Sequence, residues 1–316
     1  MANLHENEPD WPMQIFTGID IGGSNVKIGL VDSDGNLLEK KKVKTAKLRD
    51  SGRFVDGLID VVGDWLTDHP KLRHVGIGVP GTISKNRRAT VELPNIPELS
   101  HINLLDRLEK HYPNVVFHIE NDAAAAAIGE YHFSGRRMPE NFILITLGTG
   151  IGGAAVLGRK IFKGGDGNAM EIGHIVSGNA KTIEENIGKA GLAQKALELM
   201  ANHVGHTALR DYESIDDDVL IDTAVAGDEL ARQLFGWFGQ ILGQAMVSTI
   251  LLLDVKHIII GGGVAKAFPY MEAGIMESLR HYLTPYYYDK LDLRLAKLGN
   301  NAGILGAAAL CFKHKE

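Results

Sequence analysis

The glycines of this chain cluster where apolar, strand-like runs break off, and those breaks limit what it can fold into. Asp20-Ile21-Gly22-Gly23-Ser24, the Gly-Thr-Gly-Ile-Gly-Gly stretch at 148–153 and the triplet Gly261-Gly262-Gly263 each follow such a run. Glycine supplies 37 of the 316 residues, well above the usual share of about 7%. With no collagen period and no low-complexity tract, the excess belongs to tight turns or to backbone-lined ligand loops. A glycine loop between strands leaves its N–H groups free to meet phosphate oxygens without side-chain obstruction. Each loop alone would serve equally as a hairpin turn; three together point to a nucleotide. Asp20 stands beside the first loop, where a carboxylate can hold Mg2+, usually through water.

Two segments also match the G-x-G-x-x-G spacing of dinucleotide-binding folds: Gly76-Ile77-Gly78-Val79-Pro80-Gly81 and Gly148-Thr149-Gly150-Ile151-Gly152-Gly153. That fingerprint needs a strand before it and a helix opening from its third glycine. The first match contains Pro80 and runs into polar residues, and the second leads into a strand-like AAVLG. Neither supports an oxidoreductase. A G-x-x-x-x-G-K-[ST] phosphate loop is absent as well.

Residues 14–44 read as three antiparallel strands turning at Gly22-Gly23 and at Asp34-Gly35, the latter a hairpin signal. Helical spacing follows at 54–65, a buried strand at 74–79, and a strand at 115–119 that meets the alanine helix 123–127. The pattern then restarts with strands at 142–147 and 154–157 around a turn at 148–153, which suggests two related halves. From Glu184 onward the chain reads as mostly helical, broken by a strand at 256–260 and closed by an apolar helix at 302–312.

Hydrophobic residues make up 45% and charged residues 23%, the mix of a soluble globular protein. Lys and Arg total 33 against 39 Asp and Glu, a net charge of −6, which excludes a generally basic nucleic-acid-coating protein. The lone Cys311 excludes an intramolecular disulfide and a cysteine-based zinc cage. Residues 1–12 are polar and acidic and lack the apolar core of a secretory signal. Residues 234–253 carry no charge and contain Gly239-x-x-x-Gly243, which by length and motif fits a membrane span. Gln240, Gln244, Ser248, Thr249 and three glycines interrupt that run, so it reads as a buried interdomain helix. A cytoplasmic protein without a membrane partner is expected.

The segments GIDIGGSNVKIGLV, VGIGVPGTIS, IENDAAAAAIGE, LGTGIGGA, EIGH and IIIGGGVA occur in that order. As an ordered set they resemble the ROK family of sugar kinases, over most of residues 17–308. The resemblance implies an α/β, actin-like ATPase (ribonuclease-H-like) fold, with nucleotide and sugar in a cleft between two lobes. The lobes would be 1–122 with 300–316, and 123–299. It further implies a first phosphate loop at Asp20, Gly22, Gly23 and Ser24, with Lys27 beside it. The second loop would be Gly148, Thr149, Gly150 and Gly152, and Gly261, Gly262 and Gly263 would form the adenosine-side turn.

Asn121-Asp122 lies between a strand and the alanine helix. A helix cap and a general base are both compatible with that place, since a helix N-terminus favours the ionised carboxylate a base starts from. The resemblance implies that Asp122 takes the sugar hydroxyl proton, with Mg2+ and loop amides aligning and neutralising the phosphates. Glu171 and His174 are three apart and on a helix would share a face, as metal ligands do. Their glycine-broken stretch reads instead as a loop or strand. By resemblance both contact sugar hydroxyls, as do Asn95 and Asn121, with Gly81 lining the same pocket.

The chain departs from the family after that motif. Most members carry a cysteine-rich loop there that binds structural zinc; this chain has GHIVSGNAKTIEENIGK and no cysteine. The expectation is no structural zinc, His174 serving the sugar only, and Glu184 standing where the family has its second sugar-binding glutamate. Polyphosphate-using glucokinases of the family also lack the loop, which keeps polyphosphate open beside ATP as donor. The leading expectation is an ATP-dependent hexokinase converting glucose to glucose 6-phosphate, with N-acylhexosamines as alternative substrates. A sugar-responsive repressor is disfavoured because 17 residues before Gly18 cannot hold the family's DNA-binding domain, so no nucleic-acid partner is expected. A non-catalytic or filament-forming actin-like protein is disfavoured by the intact Asn121-Asp122 and Glu171/His174 set. Family members commonly dimerise, so a homodimer is expected.

Overall fold

Side chains alternate across a strand with period 2, and the first ribbon uses that alternation to build two different faces. Strands β1 (Ile15–Ile21), β2 (Asn25–Asp32) and β3 (Leu37–Lys44) pair antiparallel as expected. The Asp34-Gly35 turn is closed by Asp32, whose carboxylate accepts the Asp34 and Asn36 N–H groups at 2.9 and 2.8 Å, while Gly35 supplies a φ of +83°. The chain continues through α1 (Thr45–Asp50), α2 (Phe54–Asp68), β4 (His74–Val79) and a small ribbon of β5 (Thr82–Ile83) and β6 (Thr90–Glu92). Then follow α3 (Leu104–His111), β7 (Val116–Asn121) and α4 (Asp122–Phe133). The sheet order is β3-β2-β1-β4-β7, with β4 and β7 parallel to β1.

This computed structural model describes residues 14–50 and 52–312; the reading of residues 1–12 lies outside them. The chain divides into two compact units, Met1–Ala125 with Gly303–Glu316, and Ala126–Ala302. In the second unit β8 (Phe142–Leu147), β9 (Ile151–Leu157) and β10 (Lys160–Ile161) form another antiparallel ribbon. Helices α5 (Ile183–Ile187), α6 (Lys189–Asn202), α7 (Asp217–Val225) and α8 (Glu229–Leu253) precede β11 (His257–Gly261). After it come α9 (Phe268–Tyr282), α10 (Pro285–Tyr288) and β12 (Asp292–Leu295). The order β10-β9-β8-β11-β12, with β11 and β12 parallel to β8, repeats the first sheet strand for strand. The restart read in the sequence is this repeat. The chain ends in α11 (Ala302–Ala309), nearly all of it in the first unit.

On one face of the first sheet, Thr17 and Ile19 of β1 and Ile77 of β4 face α2. There the Trp65 indole N–H donates to Thr17 Oγ1 at 3.0 Å in a fully buried bond. The other face is made of glycine. Gly29, Gly18 and Gly76 stand side by side in register across β2, β1 and β4. A Cβ at Gly18 would lie 1.9 Å from the Ile304 carbonyl oxygen, and one at Gly76 1.8 Å from that of Ala307. Helix α11 therefore rests on the sheet backbone itself. Gly76 meets α11, and Gly78 follows two residues on along the same strand face. The first G-x-G match therefore lies within strand β4, not in a dinucleotide loop.

The apolar α8 is long and apolar enough to cross a membrane by length and composition. Its buried side packs on α9 through glycines: Cβ atoms at Gly239 and Gly274 would lie 2.1 and 2.2 Å from the Met271 and Gly236 carbonyl oxygens. Its main partners α5, α6, α7 and α9 all lie in the second unit. Three expectations are corrected. Strand β9 already begins at Ile151, so Gly152 and Gly153 are strand residues opposite β8. Strand β12 was hidden by its short, partly exposed, charge-bearing sequence Asp-Leu-Arg-Leu. Ile172–His174 is a single 3-10 turn. Cys311 is buried at 7% exposure, and burial pushes its thiol up to about 12, which makes it inert.

Replacing Gly76 by Ala should lower stability by roughly 2–4 kcal/mol, since neither backbone can yield without unseating α11. Gly165→Ala is the control: nothing lies within 4 Å and its φ is not left-handed. Urea denaturation midpoints read the difference; equal midpoints for the two variants would contradict the close packing.

Candidate functional site

In the first unit the predicted residues gather at the carboxyl ends of β1, β4 and β7, the edge where parallel sheets bind ligands. Register places Asp20 beside Gly78, Gly78 beside Glu120, and Val79 beside Asn121. Asp20 shares the glycine face of β1, two residues beyond Gly18. Its Oδ2 accepts from Lys27 Nζ at 2.8 Å, directly across the ribbon. A Cβ on Gly303 would lie 2.6 Å from the Asp20 carboxyl carbon, so α11 begins against that carboxylate. The loop at Gly22, Gly23 and Ser24 is closed by Gly22 N–H to Asn25 O at 2.9 Å. Thr45 braces it by donating from Oγ1 to Gly22 O at 2.8 Å and from N–H to Ser24 O at 3.0 Å. Asn95 lies against this loop, its Cβ 3.4 Å from where a Cβ of Gly23 would be. Arg49 secures it through the Asn95 carbonyl at 2.8 Å.

The start of α4 separates two roles that the sequence left superposed. Asn121 is the cap: its Oδ1 accepts the Ala123 and Ala124 N–H groups at 2.9 and 3.1 Å, and its Nδ2 donates to Gly81 O at 3.3 Å. Gly81, at φ +89°, turns the chain where a Cβ would strike the Glu92 carbonyl at 2.3 Å. Asp122 is half-buried and accepts a bond from Ala123 N–H at 2.8 Å. Asn121 alone reaches the Ala124 N–H, while Asp122 stands in the first turn of α4.

The second unit carries the other predicted residues. Gly148 opens the β8–β9 loop, donating to Gly150 O at 3.0 Å. No protein atom lies within 4 Å of where its Cβ would be, and its φ is not left-handed; the same holds for Gly263. The fold leaves space beside these two glycines, as it does at Gly165. Thr149 is fastened from below, its carbonyl accepting the Lys189 N–H at 3.2 Å. Gly152 pairs with Thr146 inside the sheet and so belongs to the strand after the loop. Gly261 ends β11, and Gly262 at φ +90° is required internally, since a Cβ there would sit 2.1 Å from Leu147 O.

Glu171 and His174 flank the 3-10 turn with exposed side chains, His174 Nδ1 lying 3.4 Å from Glu171 Oε2. Gly153 lets this turn close onto β9, for a Cβ there would meet Met170 O at 2.5 Å. The following loop is tied by Asn186, which is 5% exposed. Its Nδ2 donates to Ser177 Oγ and Thr182 O, both at 2.9 Å, and its Oδ1 accepts from Asn179 Nδ2 at 2.7 Å. Among the described residues there is no group of three or more His, Cys, Asp or Glu that could hold a metal. Glu184 meets the glycine loop: its Oε2 accepts the Ile151 N–H at 2.8 Å.

The structure thus brings together Asp20, Lys27, Gly22, Gly23, Ser24, Gly81, Asn95, Asn121 and Asp122 in one unit. Gly148, Thr149, Gly150, Glu171, His174 and Glu184 stand together in the other, with Gly262 closing on the end of β8. Asp20 is a hard oxygen donor at a loop edge, which fits Mg2+ held by one or two carboxylates, phosphate oxygens and water. Thr45, Gly303 and Gly188 were missed. Nothing in the local sequence marks them, because each acts through a contact with a residue in another element.

Comparison with known proteins gives the family. Residues 16–314 match the ROK family. A glucokinase from Thermotoga maritima is 30% identical, the alignment covering 95% of this chain and 98% of the relative. An N-acetylmannosamine kinase from Salmonella arizonae is 27% identical over 92% of this chain and 96% of its own. The crystal structure of a ROK family glucokinase from Streptomyces griseus in complex with glucose and AMPPNP superposes with a TM-score of 0.78. It is 29% identical and covers 94% of this chain and 99% of the other.

Because its space is open, Gly148→Ala should leave the unfolding free energy within about 0.5 kcal/mol of the parent protein. A larger loss in urea denaturation would mean that the glycine serves the fold after all.

Proposed function

The chain belongs to the ROK family and is a sugar kinase, and we propose that it transfers the γ-phosphoryl group of ATP to glucose, with Asp122 as the general base. Its paired five-stranded sheets are those of the actin-like ATPase fold. The observation that supports the assignment of the base is at α4: Asn121 makes the cap bond to Ala124, and the half-buried Asp122 stands in the first turn of the helix beside Gly78, the register partner of Asp20.

In the reaction the Asp122 carboxylate accepts the proton of the sugar hydroxyl as that oxygen bonds to the γ-phosphorus. The bond from phosphorus to the β–γ bridging oxygen breaks, and ADP leaves with the electron pair. Such a transfer needs mainly alignment and neutralisation of charge. Open space at Gly148 and Gly263 supports backbone contact with the donor, and Lys27 brings positive charge to the first loop. Mg2+, when bound through water at Asp20, supplies further neutralisation of the phosphates. Gly81, Asn95, Asn121, Glu171, His174 and Glu184 are assigned to the sugar hydroxyls. Glucose is favoured over other hexoses by the glucokinase relatives, and ATP over polyphosphate by the AMPPNP bound to one of them.

A coupled assay crossing glucose, N-acetylglucosamine, N-acetylmannosamine and fructose with ATP and polyphosphate tests the reading. The highest kcat/KM is expected for glucose with ATP; a higher value for an N-acylhexosamine, or for polyphosphate, would replace that half of the assignment. Asp122→Asn should reduce kcat by about a thousandfold, with glucose affinity by calorimetry changed less than about threefold. Near-normal turnover would reject Asp122 as the base.

A further inference from the structure

One carboxylate in the second unit is enclosed by glycines from three separate segments. A Cβ on Gly150 would lie 2.2 Å from Glu184 Oε2 and 2.9 Å from its carboxyl carbon. A Cβ on Gly173, between Glu171 and His174, would lie 3.3 Å from the same oxygen and 2.5 Å from Ile151 O. On Gly188 it would lie 2.6 Å from Glu184 O and 2.9 Å from Glu184 Cγ. Gly150 and Gly173 thus keep clear the space the Glu184 carboxylate fills, and Gly188 lets the chain close behind it. Glu184 does not cap its own helix, because Thr182 and Glu185 form the reciprocal capping box of α5. Its Oε2 instead receives the Ile151 N–H, where the glycine loop re-enters the sheet.

From this we propose that Glu184 is a positioning residue for the donor loop at residues 148–151, holding it in its phosphate-binding shape. The proposal deepens the reading given under Proposed function and rests on it. A loop of glycines has high conformational entropy, so its amides converge on a phosphate only if something fixes it beforehand. The Glu184 acceptor fixes the loop at Ile151, and the Lys189 N–H fixes it at Thr149. Both anchors lie within six residues of one another, on α5 and the first residue of α6. Because Gly173 lies against the same carboxylate, the segment bearing Glu171 and His174 and the donor loop share one support. Occupancy of the first by a hexose would then tighten the second.

The test compares Glu184→Ala with Glu184→Gln, whose amide oxygen can accept the same N–H. Binding of AMPPNP and of tripolyphosphate is measured by calorimetry without sugar, and amide hydrogen exchange is followed at residues 148–153. Glu184→Ala should weaken binding of the preferred donor about tenfold, the scale of one charge-assisted hydrogen bond. It should also speed exchange at Ile151, and Glu184→Gln should restore both to within about threefold. Donor affinity in Glu184→Ala within about twofold of the parent would overturn the proposal, as would no recovery in Glu184→Gln. A parent protein that binds neither donor would refute the kinase reading instead. The exchange rates would still report whether Glu184 holds the loop.

Discussion

Helix α11 lies on bare sheet backbone, and the first half of the candidate site depends on that contact. Three strand glycines in register, Gly29, Gly18 and Gly76, remove every Cβ from the seat. The helix descends until its carbonyl oxygens nearly touch the positions those side chains would occupy. Its first turn then falls beside Asp20, two residues farther along the same strand face, where Gly303 again has no Cβ to push the carboxylate away. A single larger residue in that row would raise the helix and free Asp20 from its wall.

The second unit uses the same device for other ends. Glycines on α8 and α9 interlock at carbonyl distance and make a helix of membrane-spanning composition into the centre of a core. Glycines around Glu184 make room for a carboxylate beneath a loop. Much of the glycine excess is therefore a packing phenomenon. The glycines differ in what surrounds the absent Cβ: backbone at Gly76, open space at Gly148.

The loop after His174 is drawn together by Asn186, which bonds Ser177, Asn179 and Thr182 from a buried position. A buried amide with its donors and acceptor satisfied can brace a loop as a network. Exposed His174 is left beside Glu171.

Strand alternation, the Asp34-Gly35 hairpin, the alanine helix and the order of the glycine motifs could be read along the chain, because each is a matter of neighbouring residues. So could the pairing of Asn121 with Asp122 at the head of a helix. The division of labour within that pair could not, since it depends on which oxygen reaches the Ala123 and Ala124 amides. Strand β12 and the seat of α8 escaped for a related reason: short exposed strands and long apolar helices carry ambiguous local signals. The order of residues alone is enough for the family, the two-halved sheet pattern and the candidate residues. Why each glycine is there, and which carboxylate supports which loop, became legible in the folded chain. Those answers are contacts such as Gly18 with Ile304 or Glu184 with Ile151, made between residues that no local pattern links.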